Sequence, residues 1–182
     1  MKQITFLRSF NMDLNRYVEQ MNIKGKYSIY KVLIFSILGI GPIQSVMFYR
    51  IASWFALKKV PFVHYIFVKL NMILHGAEIS AYASIGPGLF IAHPQGIVIG
   101  RNAVVGNNLM IFQNVTIGAK NPFDGLELMP SLGDNVTLYA GCKVLGPIVV
   151  GSNSKIGANV VLGKDLSENS VVVIDSSVYK TI

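Results

Sequence analysis

The chain has 182 residues, enough for one ordinary domain or two small ones, and it is 52% hydrophobic and 14% charged. Its single cysteine, Cys142, excludes an internal disulfide framework. The net charge of +7 is uneven, because residues 1–75 carry ten lysines and arginines against Asp13 and Glu19, whereas residues 76–182 carry six against seven acids. A basic segment therefore precedes a nearly neutral one.

Residues 1–76 are predicted to form a helical N-terminal region that serves oligomerisation or membrane-surface contact. Apolar residues at helical spacing predict four helices, each ended by a polar break, a glycine or a lysine pair: residues 5–20, 28–38, 43–57 and 61–74. Met1–Gln20 lacks the apolar core and cleavage site of a signal peptide. We therefore expect a cytoplasmic protein.

The helical region raises the question of a membrane. A spanning helix needs about 20 apolar residues, and the longest uncharged run, Val32–Tyr49, is interrupted by Gly39 and by Gly41-Pro42. A single span is not predicted, whereas a re-entrant hairpin stays open. Basic, aromatic helices can also lie on the inner, anionic face of a membrane, or they can pack on one another and on neighbouring subunits. Nucleic acid is not predicted as a partner, because no binding motif accompanies the charge.

From about residue 77 an aliphatic residue, often followed by glycine, returns every six positions. The series is Ile79, Ile85, Ile91, Ile99, Val105, Ile111, Ile117, Leu132, Leu138, Val144, Val150, Ile156 and Leu162. Two extra residues interrupt it around His93, and three more lie between Ala119 and Ser131. A short fixed period predicts a solenoid of parallel strands over residues 77–182, with three hexads in each coil and a projecting loop at 119–131. A β-sandwich of short strands is the alternative.

The recurring aliphatic residue is expected to point inward, together with the residue four positions later. Outside the two interruptions that second position is small or apolar except at Ser154, and it includes Cys142, which we interpret as a core residue and not as a nucleophile. Where a glycine follows the aliphatic residue, it is expected to permit the sharp backbone of a coil corner.

His93 is the only histidine within the solenoid, and it lies in the two-residue interruption. Histidine can accept a proton near neutral pH, so His93 is a candidate general base. Glu78 precedes it by fifteen residues, close to one coil of eighteen. A carboxylate placed so can fix the imidazole tautomer and stabilise the imidazolium. A loop histidine without a role is the alternative.

The hexads resemble the left-handed parallel β-helix acyltransferases of the hexapeptide-repeat superfamily. Within it, the segments EISAYASIGPGLFIAHPQGIVIG, AVVG, FQNVTIG and GDNVTLYAGCKVLGPIVVGSNSKIGANVVL are similar to serine O-acetyltransferases over about 90 residues. The resemblance implies that His93 deprotonates the acceptor hydroxyl and that Glu78, which stands where the family has an aspartate, orients it. The hydroxyl would then attack the thioester of acetyl-CoA directly.

The resemblance also implies a homotrimer or a dimer of trimers, with CoA bound in a groove between neighbouring solenoids. No metal is expected. The matching CoA positions, mostly small or backbone-exposing, are Gly118, Ala119, Tyr139, Ala140, Ala158 and Asn159, with Lys164 as a phosphate partner.

Three positions depart from serine acetyltransferases. Ala92 replaces an aspartate before the catalytic histidine, and Leu128 and Met129 replace an Arg-His pair that contacts serine. An apolar pair cannot bind a carboxylate as arginine does. We therefore predict an acetyl-CoA-dependent O-acetyltransferase of surface polysaccharide biosynthesis that acts on a saccharide, with a lipid-linked glycan suiting the basic N-terminal region.

Three alternatives accompany this prediction. The first is a serine acetyltransferase of cysteine biosynthesis. The second is a zinc carbonic anhydrase on the same solenoid, which needs three histidine ligands where this solenoid offers one. The third is a non-catalytic scaffold, which would need neither Glu78 nor His93.

Overall fold

The computed structural model describes residues 6–39, 41–121, 123 and 128–174. Four helices come first: α1 (Phe6–Gln20), α2 (Ser28–Leu38), α3 (Ile43–Leu57) and α4 (Val63–His75). The bounds predicted for the second and third helices are confirmed. The fourth begins later than predicted because Phe62 has a left-handed backbone, with φ at 64°, which a right-handed helix cannot include. Residue 5, most of the predicted loop tip and residues 175–182 lie outside the described residues.

Fourteen short strands follow the helices in the described part of the chain. They are β1 (Glu78–Ile79), β2 (Ser84–Ile85), β3 (Phe90–Ile91), β4 (Val98–Ile99), β5 (Val104–Val105), β6 (Met110–Ile111), β7 (Thr116–Gly118), β8 (Ser131–Leu132), β9 (Thr137–Leu138), β10 (Lys143–Leu145), β11 (Val149–Val150), β12 (Lys155–Ile156), β13 (Val161–Leu162) and β14 (Val171–Val172). All described pairings are parallel, in three sheets ordered β1-β4-β7-β10-β13, β2-β5-β8-β11 and β3-β6-β9-β12-β14. The predicted left-handed parallel β-helix with three strands per coil is confirmed.

The hexad residues fill the core of the solenoid. In nearly every strand the second residue is buried, and the first faces outward. The second inward position is buried as well, including Cys142 and the polar Ser154. Ser154 donates a hydrogen bond to the carbonyl of Ser167 (3.0 Å) and accepts one from the amide of Ser170 (3.4 Å). The one polar core position is therefore satisfied, as buried hydroxyls require.

The glycines of the hexads have a different role from the predicted one. None of those after the inward aliphatic residues has a positive φ. A Cβ on Gly86 would lie 2.6 Å from the carbonyl oxygen of Gly106, and one on Gly106 would lie 2.7 Å from the carbonyl carbon of Gly133. These glycines permit close stacking of successive coils. The left-handed corner residues are mostly asparagines, with φ between 58° and 67°: Asn102, Asn108, Asn114, Asn135, Asn153, Asn159 and Asn169.

The helices cap the open end of the first coil, where no earlier coil supplies hydrogen bonds. The Tyr17 hydroxyl donates to the carbonyl of Ile91 (2.7 Å) and accepts from the Ile91 amide (3.0 Å). The Tyr49 hydroxyl donates to the carbonyl of Ala83 (2.8 Å) and accepts from the Ile85 amide (3.2 Å). Helical side chains thus replace the missing strands, because buried backbone groups need partners.

A buried ion pair completes this cap. Arg50 donates to Asp13 through Nε (2.7 Å) and Nη2 (3.0 Å), and to the carbonyls of Ile85 (2.6 Å) and Gly86 (2.7 Å). Asp13 also accepts from the amides of Gly88 and Leu89, each at 2.8 Å. Burial raises the pKa of the Asp13 carboxyl, and the adjacent Arg50 guanidinium opposes that rise. The pair therefore joins α1, α3 and the first coil.

Breaking this pair should destabilise the fold. The Asp13→Asn substitution keeps the side-chain shape but leaves Arg50 buried without a counter-ion, which costs about 3–5 kcal/mol. We expect that loss in the free energy of unfolding, measured by urea denaturation. Glu19→Gln is the matched control, because its contact with Arg16 is long (3.6 Å) and partly exposed, and we expect a change within about 0.5 kcal/mol. Equal losses for the two variants would contradict the role given to the pair.

Candidate functional site

His93 projects from one corner of the solenoid, between β3 and β4. The ladder is regular on both sides, since the Ala92 amide donates to the carbonyl of Ile111 and the Asn114 amide donates to the carbonyl of Gln95, each at 2.9 Å. Only His93 and Pro94 are therefore extra. The imidazole is exposed, and Gly96, with φ at 71°, turns the chain back into β4.

Glu78 is the first residue of β1, and its side chain is exposed on the outer surface of the neighbouring sheet. Glu78 pairs with Val98 of β4 in the ladder. The turn from Pro94 to Ile97 lies between His93 and β4, so it also separates His93 from Glu78. Among the described residues there is no hydrogen bond or ion pair between Glu78 and His93. That Glu78 orients the imidazole stays a prediction.

Four of the predicted CoA residues lie at the corner of His93 on lower coils. Tyr139 and Ala140 follow β9, and Ala158 and Asn159 follow β12. Backbone hydrogen bonds connect these levels, with the Asn159 amide donating to the carbonyl of Ala140 at 2.9 Å. The structure therefore brings these residues and His93 onto one edge of the solenoid.

The other predicted CoA residues lie at the opposite margin of the β1-β4-β7-β10-β13 sheet. Gly118 ends β7 and is followed by Ala119, and the exposed Lys164 follows β13. A strand as long as β7 spans about 10 Å, so one chain does not bring these residues next to His93.

Two residues at the His93 edge were not predicted. Phe112 stacks on Tyr139 with ring centroids 5.4 Å apart and planes inclined by 22°. Lys143 donates through Nζ to the carbonyls of Asn114 and Gly141, each at 2.7 Å. The signal for Phe112 was available in the sequence, since Phe112 and Tyr139 each follow an inward hexad residue.

The two apolar loop residues lie at the margin opposite His93. A Cβ on Gly100 would lie 2.7 Å from Cε of Met129, so the Met129 side chain covers that glycine. Leu128 and Met129 are both half-buried, and Pro130 beside them is buried. The loop stem therefore packs on the corner after β4.

No group of three or more histidines, cysteines, aspartates and glutamates is placed to hold a metal ion within the described ranges. Cys142 is buried in the solenoid core, and burial raises the pKa of its thiol to about 12. A thiol in that state is a poor nucleophile.

The chain matches two models of protein families. Residues 129–164 match the family model "Bacterial transferase hexapeptide (six repeats)", and residues 88–113 match "Hexapeptide repeat of succinyl-transferase". Both matches fall within the solenoid.

The individual proteins that are similar to this chain indicate a narrower family than the two repeat models do. The chain is 39% identical to a serine acetyltransferase of Helicobacter pylori over 140 residues, which is 77% of this chain and 80% of that protein. It is 38% identical to a serine acetyltransferase of Synechococcus elongatus over 130 residues, which is 71% of this chain but only 53% of that protein. The chain thus spans about half the length of the second relative.

A solved structure of Neisseria gonorrhoeae serine acetyltransferase in complex with serine aligns with a TM-score of 0.80 and 29% identity. The alignment covers 94% of this chain and 67% of that one. These relatives contradict the predicted saccharide acceptor and the predicted role in polysaccharide biosynthesis. The prediction was wrong because departures from the family at three positions do not identify another acceptor.

The turn at Gly96 should be needed for the site. In Gly96→Ala the side chain would adopt a strained left-handed backbone, and its Cβ would meet the Asn114 side chain in the next coil. We expect a loss of about 1–3 kcal/mol in the free energy of unfolding, measured by thermal denaturation. Gly163→Ala is the control, since nothing lies within 4 Å of its Cβ position. An equal effect of both variants would refute this account of the corner.

Cys142 should be unreactive in the folded protein. Its burial and raised pKa predict no reaction with dithionitrobenzoate at neutral pH and full reaction after denaturation in urea. Rapid colour development with the native protein would show that the thiol is accessible. The measurement also decides whether that reagent can follow CoA release without interference from the enzyme.

Proposed function

The chain belongs to the serine acetyltransferase family, and we propose that it transfers the acetyl group of acetyl-CoA to the hydroxyl of serine. The observation that supports this most is the match to the Helicobacter pylori serine acetyltransferase, which covers four-fifths of that protein and includes the segment with His93. Further support comes from the exposure of His93 at a corner whose lower coils carry small residues. Both family models agree with the broader class of hexapeptide-repeat acyltransferases.

The proposed reaction is a direct transfer. His93 removes the proton from the serine hydroxyl while the oxygen attacks the carbonyl carbon of the thioester. The carbon–sulfur bond then breaks, and the CoA thiolate takes the proton back from the imidazolium. The products are O-acetylserine and free CoA. Glu78 orients and stabilises the imidazolium, as the carboxylate of a hydrolase triad does.

The CoA site needs more than one chain. Tyr139, Ala140, Ala158 and Asn159 lie at one margin of a sheet, and Gly118, Ala119 and Lys164 lie at the other. We propose a homotrimer in which the His93 edge of one solenoid faces the Gly118 margin of the next. Acetyl-CoA then lies in the groove between two chains, with a phosphate at Lys164. The Phe112–Tyr139 stack supplies an aromatic surface beside the small residues.

The carboxylate of serine should be bound weakly. The side chains of Leu128 and Met129 offer no hydrogen-bond donor to a carboxylate, and Met129 packs on Gly100. A carboxylate binds best to a charged, bidentate donor. We therefore expect a high KM for serine, whereas kcat depends on His93 and the thioester and needs no donor from the loop.

Thiol release from acetyl-CoA in the presence of serine tests the proposal. His93→Ala should lower kcat by at least about 100-fold, which is the smallest contribution expected of a general base. Glu78→Gln should lower it less, because the carboxylate orients the base and takes no proton.

The matched control is Gln95→Ala, an exposed side chain two residues from His93 at the same corner. It should keep kcat within a few-fold of the unmodified chain. No release when both acetyl-CoA and serine are raised to high concentrations would reject serine as the acceptor. Near-normal release by His93→Ala would remove His93 from the role of base.

A further inference from the structure

Helix α2 presents an apolar face to solvent. Its exposed stripe consists of Tyr27 just before the helix and Tyr30, Lys31, Ile34, Ile37 and Leu38 within it. At 100° per residue these positions fall within an arc of roughly 120°. Val32 and Ser36, on the opposite side, are buried. The inner side is also apolar, since Ile29, Leu33 and Phe35 pack against the core. α2 therefore differs from an ordinary surface helix in that its outer side is apolar as well.

Helix α4 repeats the pattern. Its exposed stripe consists of Phe62, Tyr65, Ile66, Lys69, Met72 and Ile73. Its two buried residues are polar: His64 bonds to the Tyr82 hydroxyl (3.2 Å), and Asn71 donates to the carbonyl of Ser45 (3.3 Å). The half-buried Phe67 packs against the rings of Phe48 and Phe55. These two stripes, one on α2 and one on α4, are called the docking faces below.

Positive charge accompanies both docking faces. Lys31 and Lys69 lie within them, and lysine pairs precede each face in the chain, at 24 and 26 and at 58 and 59. In the described helical region only Arg16 and Arg50 form ion pairs with acids, and both of its acids, Asp13 and Glu19, are used in them. The helices therefore carry an excess of unpaired cations and no unpaired carboxylate.

Charge decides between two occupants of such a surface. A second copy of the chain would bring the same lysines, and like charges in an interface cost free energy. An anionic surface complements them, and the exposed aromatic and aliphatic residues suit the zone between lipid headgroups and acyl chains. We propose that the docking faces of α2 and α4 bind this protein to a membrane surface rich in anionic lipids.

The helices would lie on such a surface and not cross it. α2 has 11 residues and α4 has 13, which gives lengths of about 16 Å and 20 Å, shorter than the roughly 30 Å hydrocarbon core. Within the described residues no single helix is long and apolar enough to span a membrane. α2 and α3 reach the required length and hydropathy only when taken together, and that pair is bent by 77°.

Vesicle co-sedimentation of the full chain tests the proposal. We expect binding to equimolar phosphatidylcholine–phosphatidylglycerol vesicles, at least about tenfold weaker binding to pure phosphatidylcholine, and weakening by salt. The double variant Lys31→Glu, Lys69→Glu should lose at least about tenfold in affinity, since each lysine near the surface contributes about fivefold. The double variant Ile34→Ser, Ile73→Ser should bind more weakly at low and at high salt.

Lys155→Glu is the matched control, because it reverses an exposed lysine on the solenoid, away from the helices. It should bind vesicles like the unmodified chain, and all variants should keep the unmodified Tm, since the changed side chains are exposed. Absence of vesicle binding, or an equal loss with Lys155→Glu, would overturn the proposal. Gel filtration gives a further test. If the lysine and isoleucine variants break up a larger assembly, and that assembly binds no vesicles, then the faces join copies of the chain and the proposal is overturned.

Discussion

Each coil of a parallel solenoid satisfies the backbone groups of the coil before it, so the first coil has one edge that nothing of its own kind can pair. In this chain the amides and carbonyls of that edge meet Tyr17, Tyr49 and the Arg50–Asp13 pair. A guanidinium that bonds two carbonyls, and a carboxylate that accepts two amides, together match both kinds of unpaired group. The helical region and the solenoid therefore depend on each other. The helices are anchored on the edge of the first coil, and their side chains bond to the unpaired backbone groups of that edge.

The cap places polar side chains inside the helical region. Because α1 and α3 supply polar side chains to the coil, the surfaces buried within the helical region include charges, hydroxyls and amides. Apolar residues also lie on the outer sides of α2 and α4, in addition to those that are buried in the core. Exposed apolar faces on neighbouring helices of a single chain indicate an interaction surface. The side chains that complete the first coil thus determine which sides of α1 and α3 face the solenoid.

The strict hexad period predicted the solenoid, the inward residues and the interruption at His93, because each depends on local spacing. It did not predict the reason for the glycines, since a clash with the next coil depends on a residue that is distant in the sequence, such as Gly106 for Gly86. Nor could it pair Asp13 with Arg50, 37 residues apart. The acceptor was predicted wrongly from Ala92, Leu128 and Met129, because a missing contact shows what a site lacks and not what it binds.

The position of His93 follows from what the ladder tolerates. Ile91 pairs with Ile111 before the insertion, and Ile99 pairs with Ile117 after it, so two extra residues at the corner leave both sheets in register. An insertion within a strand would instead turn every later side chain to the wrong face. A corner is thus the place where this solenoid can add a side chain without losing its core. Because sheets meet there, a histidine at that corner is exposed on the outside of the coil. In the proposed homotrimer this exposed side is the one that can face a neighbouring solenoid.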